Sequence, residues 1–331
     1  MPITAIDVHC HIVPGEFPAY AGKSDASRWP QMAAGSDCRH KNVMIAGKNF
    51  RTVSDECWDV ARRIEAMDKM GIARQVLSPM PELLSYWLDP VDGLAMSRHV
   101  NGTIAQMVAL APKRFAGLAM VPLQDPDIAT RELERIMADG HRGVEIGSNV
   151  NGVAIGDAKF EGFFAAAEKL GVAVFVHALH PASLERIVGP PRLAPMLAFP
   201  NETSFAVASM ITGGMLERHP KLKIGFSHGG GTFGFIVHRL TQGWKVSPII
   251  QEQIKTNPLD QARRCYYDTL LFSVDALEFV AKSFGLSQLF IGTDFPFELS
   301  EKAPLDALDK LGLGEAERAM LYSGNAERFL A

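Results

Sequence analysis

The first apolar run of this chain ends in Asp7-Val8-His9-Cys10-His11, with two imidazoles one residue apart. Side chains of an extended segment alternate faces, so positions two apart point the same way and both rings reach one ion about 2 Å from each nitrogen. An exposed histidine beside a core one is the plainer alternative for the pair taken alone. Other apolar runs also close on polar residues: His177 in Val-Phe-Val-His177, His228 in Phe-Ser-His228-Gly-Gly-Gly, Asp294 in Ile-Gly-Thr-Asp294-Phe-Pro and, more weakly, Asp268 in Cys-Tyr-Tyr-Asp268. Any one of these reads as an ordinary hydrogen-bonded residue at a strand terminus. Together they describe a ligand set. Neutral imidazoles with one carboxylate suit Zn2+, with a position left for water whose pKa falls to about 7. Mn2+ or another divalent ion accepts the same donors. We assign His9, His11, His177 and Asp294 to the metal and His228 to proton exchange with the metal-bound water, because imidazole titrates near neutrality. Exchange of the roles of His177 and His228 is the competing arrangement.

Such residues need elements that bring distant strand ends to one place. After the first run, β-branched stretches recur at Ile72 to Leu77, Phe115 to Val121, Gly143 to Ile146, Val172 to His177, Leu222 to Ser227, Cys265 to Leu271 and Leu289 to Thr293, with amphipathic segments between them. The first of those segments begins at Ser54, repeats Trp58, Ala61, Ile64 and Met67 at three-residue steps, and ends near Gly71. Strands alternating with helices form parallel sheets, and eight such units predict a (β/α)8 TIM barrel whose active site lies at the carboxyl ends of its strands. An open doubly wound sheet is the runner-up, but the glycine-rich phosphate turn expected after its first strand is replaced here by His9 and His11. Residues 14–50, rich in Gly, Pro, Ser and charge with a β-like piece near Asn42 to Ile45, read as a small lobe inserted after strand 1. No linker divides the chain, so residues 1–331 are expected to form one unit.

With 331 residues, 47% of them hydrophobic, the chain can bury a barrel-sized core. Its 33 basic and 37 acidic residues are scattered, which leaves no basic stripe for nucleic acid and makes a small molecule the expected partner. Cys10, Cys38, Cys57 and Cys265 have no paired spacing. Together with the lack of a cleavable leader, this predicts a reduced, cytoplasmic protein. No apolar run approaches the roughly 20 residues needed to cross a bilayer.

Two arginines and a glycine triplet extend the set. Arg51 lies where the insertion returns to the barrel, and Arg239 lies on the helix after Gly229-Gly230-Gly231. A guanidinium fork binds a carboxylate through two parallel hydrogen bonds, although each arginine also reads as a solvated surface charge. The glycines allow a tight turn and close approach of a substrate.

These residues in this order resemble the amidohydrolase superfamily, in its branch around 2-amino-3-carboxymuconate-6-semialdehyde decarboxylase. The likeness spans the chain through Asp7-Val-His-Cys-His11, Gly47-Lys-Asn-Phe-Arg51, Cys57-Trp-Asp59, Arg63-Ile-Glu-Ala-Met-Asp68, Ser85-Tyr-Trp87, Val121-Pro-Leu-Gln124, Phe226-Ser-His-Gly-Gly-Gly231, Gly292-Thr-Asp-Phe-Pro-Phe297 and Ser323-Gly-Asn-Ala326. The resemblance implies zinc at His9, His11, His177 and Asp294 and catalysis by His228. It also implies carboxylate binding by Arg51 and Arg239, the latter reaching into the neighbouring site of a homodimer. One stretch departs: His177-Ala-Leu-His180-Pro-Ala-Ser and Gly189-Pro-Pro-Arg192 stand where the branch carries His-Pro-Trp-Asp and a tryptophan-rich segment. His180 is therefore an expected substrate contact, and the branch's own substrate does not carry over.

The expected activity is metal-dependent, non-oxidative decarboxylation of a small unsaturated or aromatic carboxylic acid. The same ligands would serve hydrolysis of an amide, lactone or ester, and the paired arginines favour the first reading because a decarboxylase must recognise an anion. An inactive metal-binding scaffold is the third reading. It is opposed by the complete ligand set and the retained proton-transfer histidine.

Overall fold

The computed structural model describes residues 4–23 and 25–331. In chain order its strands are β1 (Ile6–Ile12); β2 (Gln31–Ala34), β3 (His40–Ile45) and β4 (Lys48–Ser54); β5 (Arg74–Pro79), β6 (Phe115–Ala119) and β7 (Gly143–Gly147); the short pair β8 (Asn149–Val150) and β9 (Val153–Ala154); and β10 (Ala173–His177), β11 (Lys223–Phe226), β12 (Tyr266–Asp268) and β13 (Leu289–Phe295). Strands β1, β5, β6, β7, β10, β11, β12 and β13 close into a barrel, and every neighbouring pair in it is parallel. Crossover helices such as Pro90–Leu110, Pro126–Ala138, Glu161–Leu170 and Val274–Phe284 separate successive strands. The strands are buried on both faces, which is why they read as nearly continuous apolar runs. All eight runs picked out in the sequence are barrel strands.

The first helix differs in detail from its pattern. Residues Asp55–Cys57 form a short 3-10 turn. Helix α1 then runs over Val60–Met70, started by the Asp59 carboxylate on the Arg62 N–H and stopped by Gly71 at φ 71°. Its buried face is Arg63, Met67 and Met70, while Ala61 is exposed. Arg63 points inward because three acceptors await it: Gln75 Oε1 at 2.7 Å and the carbonyls of His11 at 2.8 Å and Glu56 at 3.2 Å.

Between β1 and α1, strands β2, β3 and β4 form an antiparallel sheet that runs past residue 50 to Ser54. Its last strand carries Arg51 to the barrel mouth. At the opposite end, Ala326 and Phe329 of the C-terminal helix Asn325–Leu330 join Ile6, Val8, Phe175 and Phe290 in one apolar cluster.

Strand β1 is irregular where its chemistry sits. Asp7 faces Gln75 and Cys10 faces Leu77, so β1 spends an extra residue against β5. Such bulges re-aim side chains beside active sites. Val8 packs with Phe175 in the interior, and His9 also meets Phe175, with ring centroids 5.2 Å apart.

Candidate active site

His9 and His11 are fully buried near the end of β1, His177 closes β10, and Asp294 lies at the end of β13. One donor atom from each of the four lies within 4.8 Å of the others. His9 Nε2 and His11 Nε2 are 3.1 Å apart, and Asp294 Oδ1 lies 3.0 Å from His11 Nε2 and 3.5 Å from His9 Nε2. Donors each bonded at about 2.1 Å to one ion stand roughly 3.0 to 3.4 Å apart.

The opposite nitrogen of each ring is held by the protein. His9 Nδ1 meets Asp268 Oδ2 at 2.5 Å, His11 Nδ1 the Pro79 carbonyl at 2.9 Å, and His177 Nδ1 the Ala178 carbonyl at 2.8 Å. These acceptors hold each Nδ1 as a donor and aim Nε2 at the cluster, which is how metal-binding imidazoles are oriented. His177 Nε2 is buried without a hydrogen-bond partner. Several lone pairs and a carboxylate converging on one point suit a divalent cation.

Electrostatics follow from burial and these contacts. Burial and the charge on His9 hold His177 well below the usual imidazole range, and burial lowers His11. Burial opposes charge on His9 too, but hydrogen bonds to Asp268 and Asp294 outweigh it and raise its pKa to about 10. For Asp294 burial works upward, yet the contacts with His11 and His9 hold the carboxyl well below its ordinary value.

His228 stands beside the four, its ring 5.1 Å from that of His177 and 5.5 Å from that of His9. Its Nδ1 lies 3.0 Å from Ser227 Oγ and 3.4 Å from Thr203 Oγ1, which leaves Nε2 for a proton. Burial, with the His9 charge added, pushes its pKa down to about 4, so the ring is neutral at neutral pH. The turn that aims it requires its glycines: a Cβ on Gly231 would meet the Pro200 carbonyl oxygen at 1.7 Å, and all three glycines have positive φ.

Asp268, the weakest candidate in the sequence, lies behind His9. It also accepts the backbone N–H groups of His228 at 2.9 Å, Gly229 at 2.8 Å and Leu270 at 3.1 Å. Burial pushes this carboxyl up, but His9 and those donors hold it below its ordinary value.

Arg51 is brought to the mouth. Its guanidinium carbon lies 4.1 Å over the Phe297 ring, which stacks on His11 at 5.3 Å between centroids. His180 is exposed at φ 41° against Trp87, ring centroids 5.4 Å apart. With Arg28, Ile45, Ala46, Phe50 and Glu82, these two line a cavity of about 240 Å3. Arg192 pairs with Glu298 at the surface. Arg239 is not brought to this site: it lies exposed on helix Phe233–Val246.

Three contributors escaped the sequence reading. Glu145 of β7 is fully buried 3.7 Å from His11 Nδ1, and burial pushes its carboxyl up to about 8 despite the nearby Ser78. Its signal was a lone charge in Gly143-Val-Glu-Ile-Gly147. Glu202 accepts from Asn149 Nδ2 at 3.0 Å and the Ala182 N–H at 3.2 Å, and so anchors the loop after His177. Glu82 sits in the short turn after β5.

A closed parallel barrel with buried histidines and a carboxylate at its strand ends is the architecture of a metal-assisted enzyme acting on small molecules. Comparison with known proteins narrows this class. The family model described as amidohydrolase matches residues 6–331. The 2-amino-3-carboxymuconate-6-semialdehyde decarboxylase of Dictyostelium discoideum is 36% identical over 98% of this chain and 91% of its own. The gamma-resorcylate decarboxylase of Rhizobium sp. (strain MTP-10005) is 28% identical over 86% and 91%. The solved dihydroxybenzoic acid decarboxylase of Polaromonas sp. JS666, with bound manganese and 2-nitroresorcinol, superposes with a TM-score of 0.79 at 21% identity, covering 99% of this chain and 96% of that one. The chain belongs to the amidohydrolase family, within its decarboxylase branch.

Proposed function

We propose that this protein is a carbon–carbon lyase: a metal-dependent, non-oxidative decarboxylase of a small aromatic or unsaturated carboxylic acid. The observation that carries the reading is Arg51. Among the described residues it has no ion pair, and it stacks through Phe297 on His11, so a cation stands ready for an anion beside the histidine cluster. Relatives named as decarboxylases, one of an open-chain unsaturated acid and one of an aromatic acid, favour this reading over hydrolysis.

His9, His11, His177 and Asp294 are the residues that would hold a divalent ion. Zn2+ is our first assignment, and Mn2+ fits the same donors and is the ion in the Polaromonas enzyme. When bound, the ion supplies Lewis-acid polarisation and lowers the pKa of water in the site. Arg51 grips the substrate carboxylate through its fork. The His228 ring, protonated at Nε2 by a proton drawn from solvent, passes that proton to the carbon bearing the carboxylate and returns to its neutral form. The bond to that group then breaks, its electron pair returns to the unsaturated system, and carbon dioxide leaves with no net redox change.

Arg239 acts in this reading from a second copy of the chain. Its helix exposes Phe235 and Ile236 at 70% and 46%, an apolar face suited to a homodimer in which Arg239 enters the neighbouring pocket. The barrel and the inserted lobe, whose sheet runs on to Ser54, work as one unit in this reading, since Arg51 arrives from that sheet. A cytoplasmic location completes the proposal; four free cysteines, three of them buried, are consistent with it. Among the described residues no helix is long and apolar enough to cross a membrane.

The deciding experiment is incubation of the metal-loaded protein with hydroxylated, aminated and ring-opened aromatic acids, scored for carbon dioxide against hydrolytic products. Carbon dioxide from at least one acid is expected. Hydrolysis products without carbon dioxide would overturn the assignment.

A further inference from the structure

A chain of buried hydrogen bonds runs behind the metal ligands and reaches three of the four. Its members Arg63, Gln75, Asp7 and Thr293 are each fully buried. Arg63 Nε donates to Gln75 Oε1 at 2.7 Å, Gln75 Nε2 donates to Asp7 Oδ2 at 2.9 Å, and Thr293 Oγ1 donates to the same oxygen at 2.7 Å. A guanidinium only donates and a carboxylate only accepts, so the Gln75 amide has one permitted orientation between them, and the Thr293 hydroxyl must give its proton to Asp7. No member can reverse its part while the others stand. An apolar side chain would fill the Arg63 position without burying a charge, and a buried cation is tolerated only where its donors are used.

The remaining bonds of this chain end on the backbone of the ligands. Asp7 Oδ1 accepts the His9 N–H at 3.2 Å, and Arg63 Nη1 donates to the His11 carbonyl at 2.8 Å. The Thr293 oxygen, its proton given to Asp7, accepts the Phe295 N–H at 3.2 Å and so closes a turn around Asp294, the residue held at φ 59°. The Arg63 guanidinium carbon lies 5.0 Å over the Phe295 ring. These bonds fall where β1 carries its extra residue between Asp7 and Cys10, a place where the ladder to β5 is interrupted and the strand needs other support. We propose that Arg63, Gln75, Asp7 and Thr293 form a positioning network that holds His9, His11 and Asp294 at the spacing one divalent ion requires. The four act through the backbone of the ligands and are positioning residues. The inference rests on the assignment of those three residues to a metal, and not on the reaction that the site performs.

The test is a calorimetric titration of Mn2+ into the chelator-stripped full chain, each variant first shown to be folded by circular dichroism at the titration temperature. Arg63→Met removes every donor of the guanidinium, and Thr293→Val removes the hydroxyl at the Asp294 turn. Each should weaken Mn2+ binding about 10- to 100-fold, the usual loss when the support of a ligand is removed. Thr293→Ser, which restores the hydroxyl, should recover most of that loss. Leu133→Ala, a cavity in helix Pro126–Ala138 outside the network, should lower the unfolding midpoint and leave Mn2+ affinity at the wild-type value, which separates positioning from general stability. Affinity within about twofold of wild type in folded Thr293→Val, or a loss shared equally by Thr293→Ser or by Leu133→Ala, overturns the network whether or not Arg63→Met folds. Failure of wild type to bind Mn2+ would overturn the ligand assignment itself, and this inference with it.

Discussion

Replacing Asp268 by asparagine changes one atom and should disable the site from behind. The carboxylate accepts two hydrogen bonds on each oxygen: His9 Nδ1 and the His228 N–H on Oδ2, the Gly229 and Leu270 N–H groups on Oδ1. An amide has only one oxygen, so one pair of donors must face an NH2 group. If that pair is Gly229 and Leu270, two charge-assisted bonds are lost from a fully buried site, each worth about 1.5–3 kcal/mol, and the protein is destabilised by roughly 3–6 kcal/mol. If the pair is His9 and His228, the His9 ring must accept at Nδ1 and carry its proton on Nε2, the nitrogen aimed at the cluster. Metal affinity then falls by about 10- to 100-fold, the usual loss when a ligand's orienting partner is removed. Urea unfolding with and without chelator, alongside a calorimetric metal titration, distinguishes the outcomes. An Asp268→Asn protein matching wild type in unfolding midpoint and, within twofold, in metal affinity would refute the role assigned to Asp268.

The remaining predictions concern proton transfer, the shared pocket and acid stability. His228→Ala should retain bound metal while kcat falls by about 10^2- to 10^4-fold, whereas Asp294→Ala should lose both; full turnover by metal-free wild type would sink the ligand assignment. Mixed Arg51→Ala and Arg239→Ala proteins should regain partial activity if each arginine serves a different subunit's pocket, and no recovery despite proven subunit exchange counts against that arrangement. Burial pushes His141 down to about 4, so the folded chain keeps this ring neutral where the unfolded chain, with an ordinary value near 6.5, binds a proton. The contribution is full above pH 6.5 and is lost as pH falls toward 4, a change of about 3 kcal/mol that denaturant titrations should find reduced in His141→Gln.

The sequence made the barrel legible because parallel strands and their crossovers leave long-range periodic signals, and because polar residues recur together at the ends of its apolar runs. Registry was not legible. The extra residue in β1 carries no local signature, since Val8 and His9 read as ordinary alternation. The burial of Arg63 leaves no mark in the sequence because its partners, Gln75 and two carbonyls, come from segments whose approach depends on the closed fold. Glu82 and Glu145 were passed over for the opposite reason: single charges near apolar runs are common, and only burial distinguishes them.

Asp268 and Asp294 carry the same point further. Both are aspartates at strand ends, and nothing in their flanking residues says which one reaches the centre. The difference lies in backbone conformation. Asp268 closes a short strand and turns its oxygens onto the N–H groups of its own rim. Asp294 is held at φ 59°, a left-handed conformation that costs a residue with a side chain on the order of 1–3 kcal/mol unless its surroundings impose it. That conformation sends Oδ1 toward both Nε2 atoms of the β1 histidines. His228 shares it at φ 55°. Strain at the ligand carboxylate and at the proton-transfer histidine, with the orienting carboxylate between them on an adjacent strand, is what a fold selected for this chemistry would retain, because a relaxed backbone at either position would aim the side chain away from the cluster.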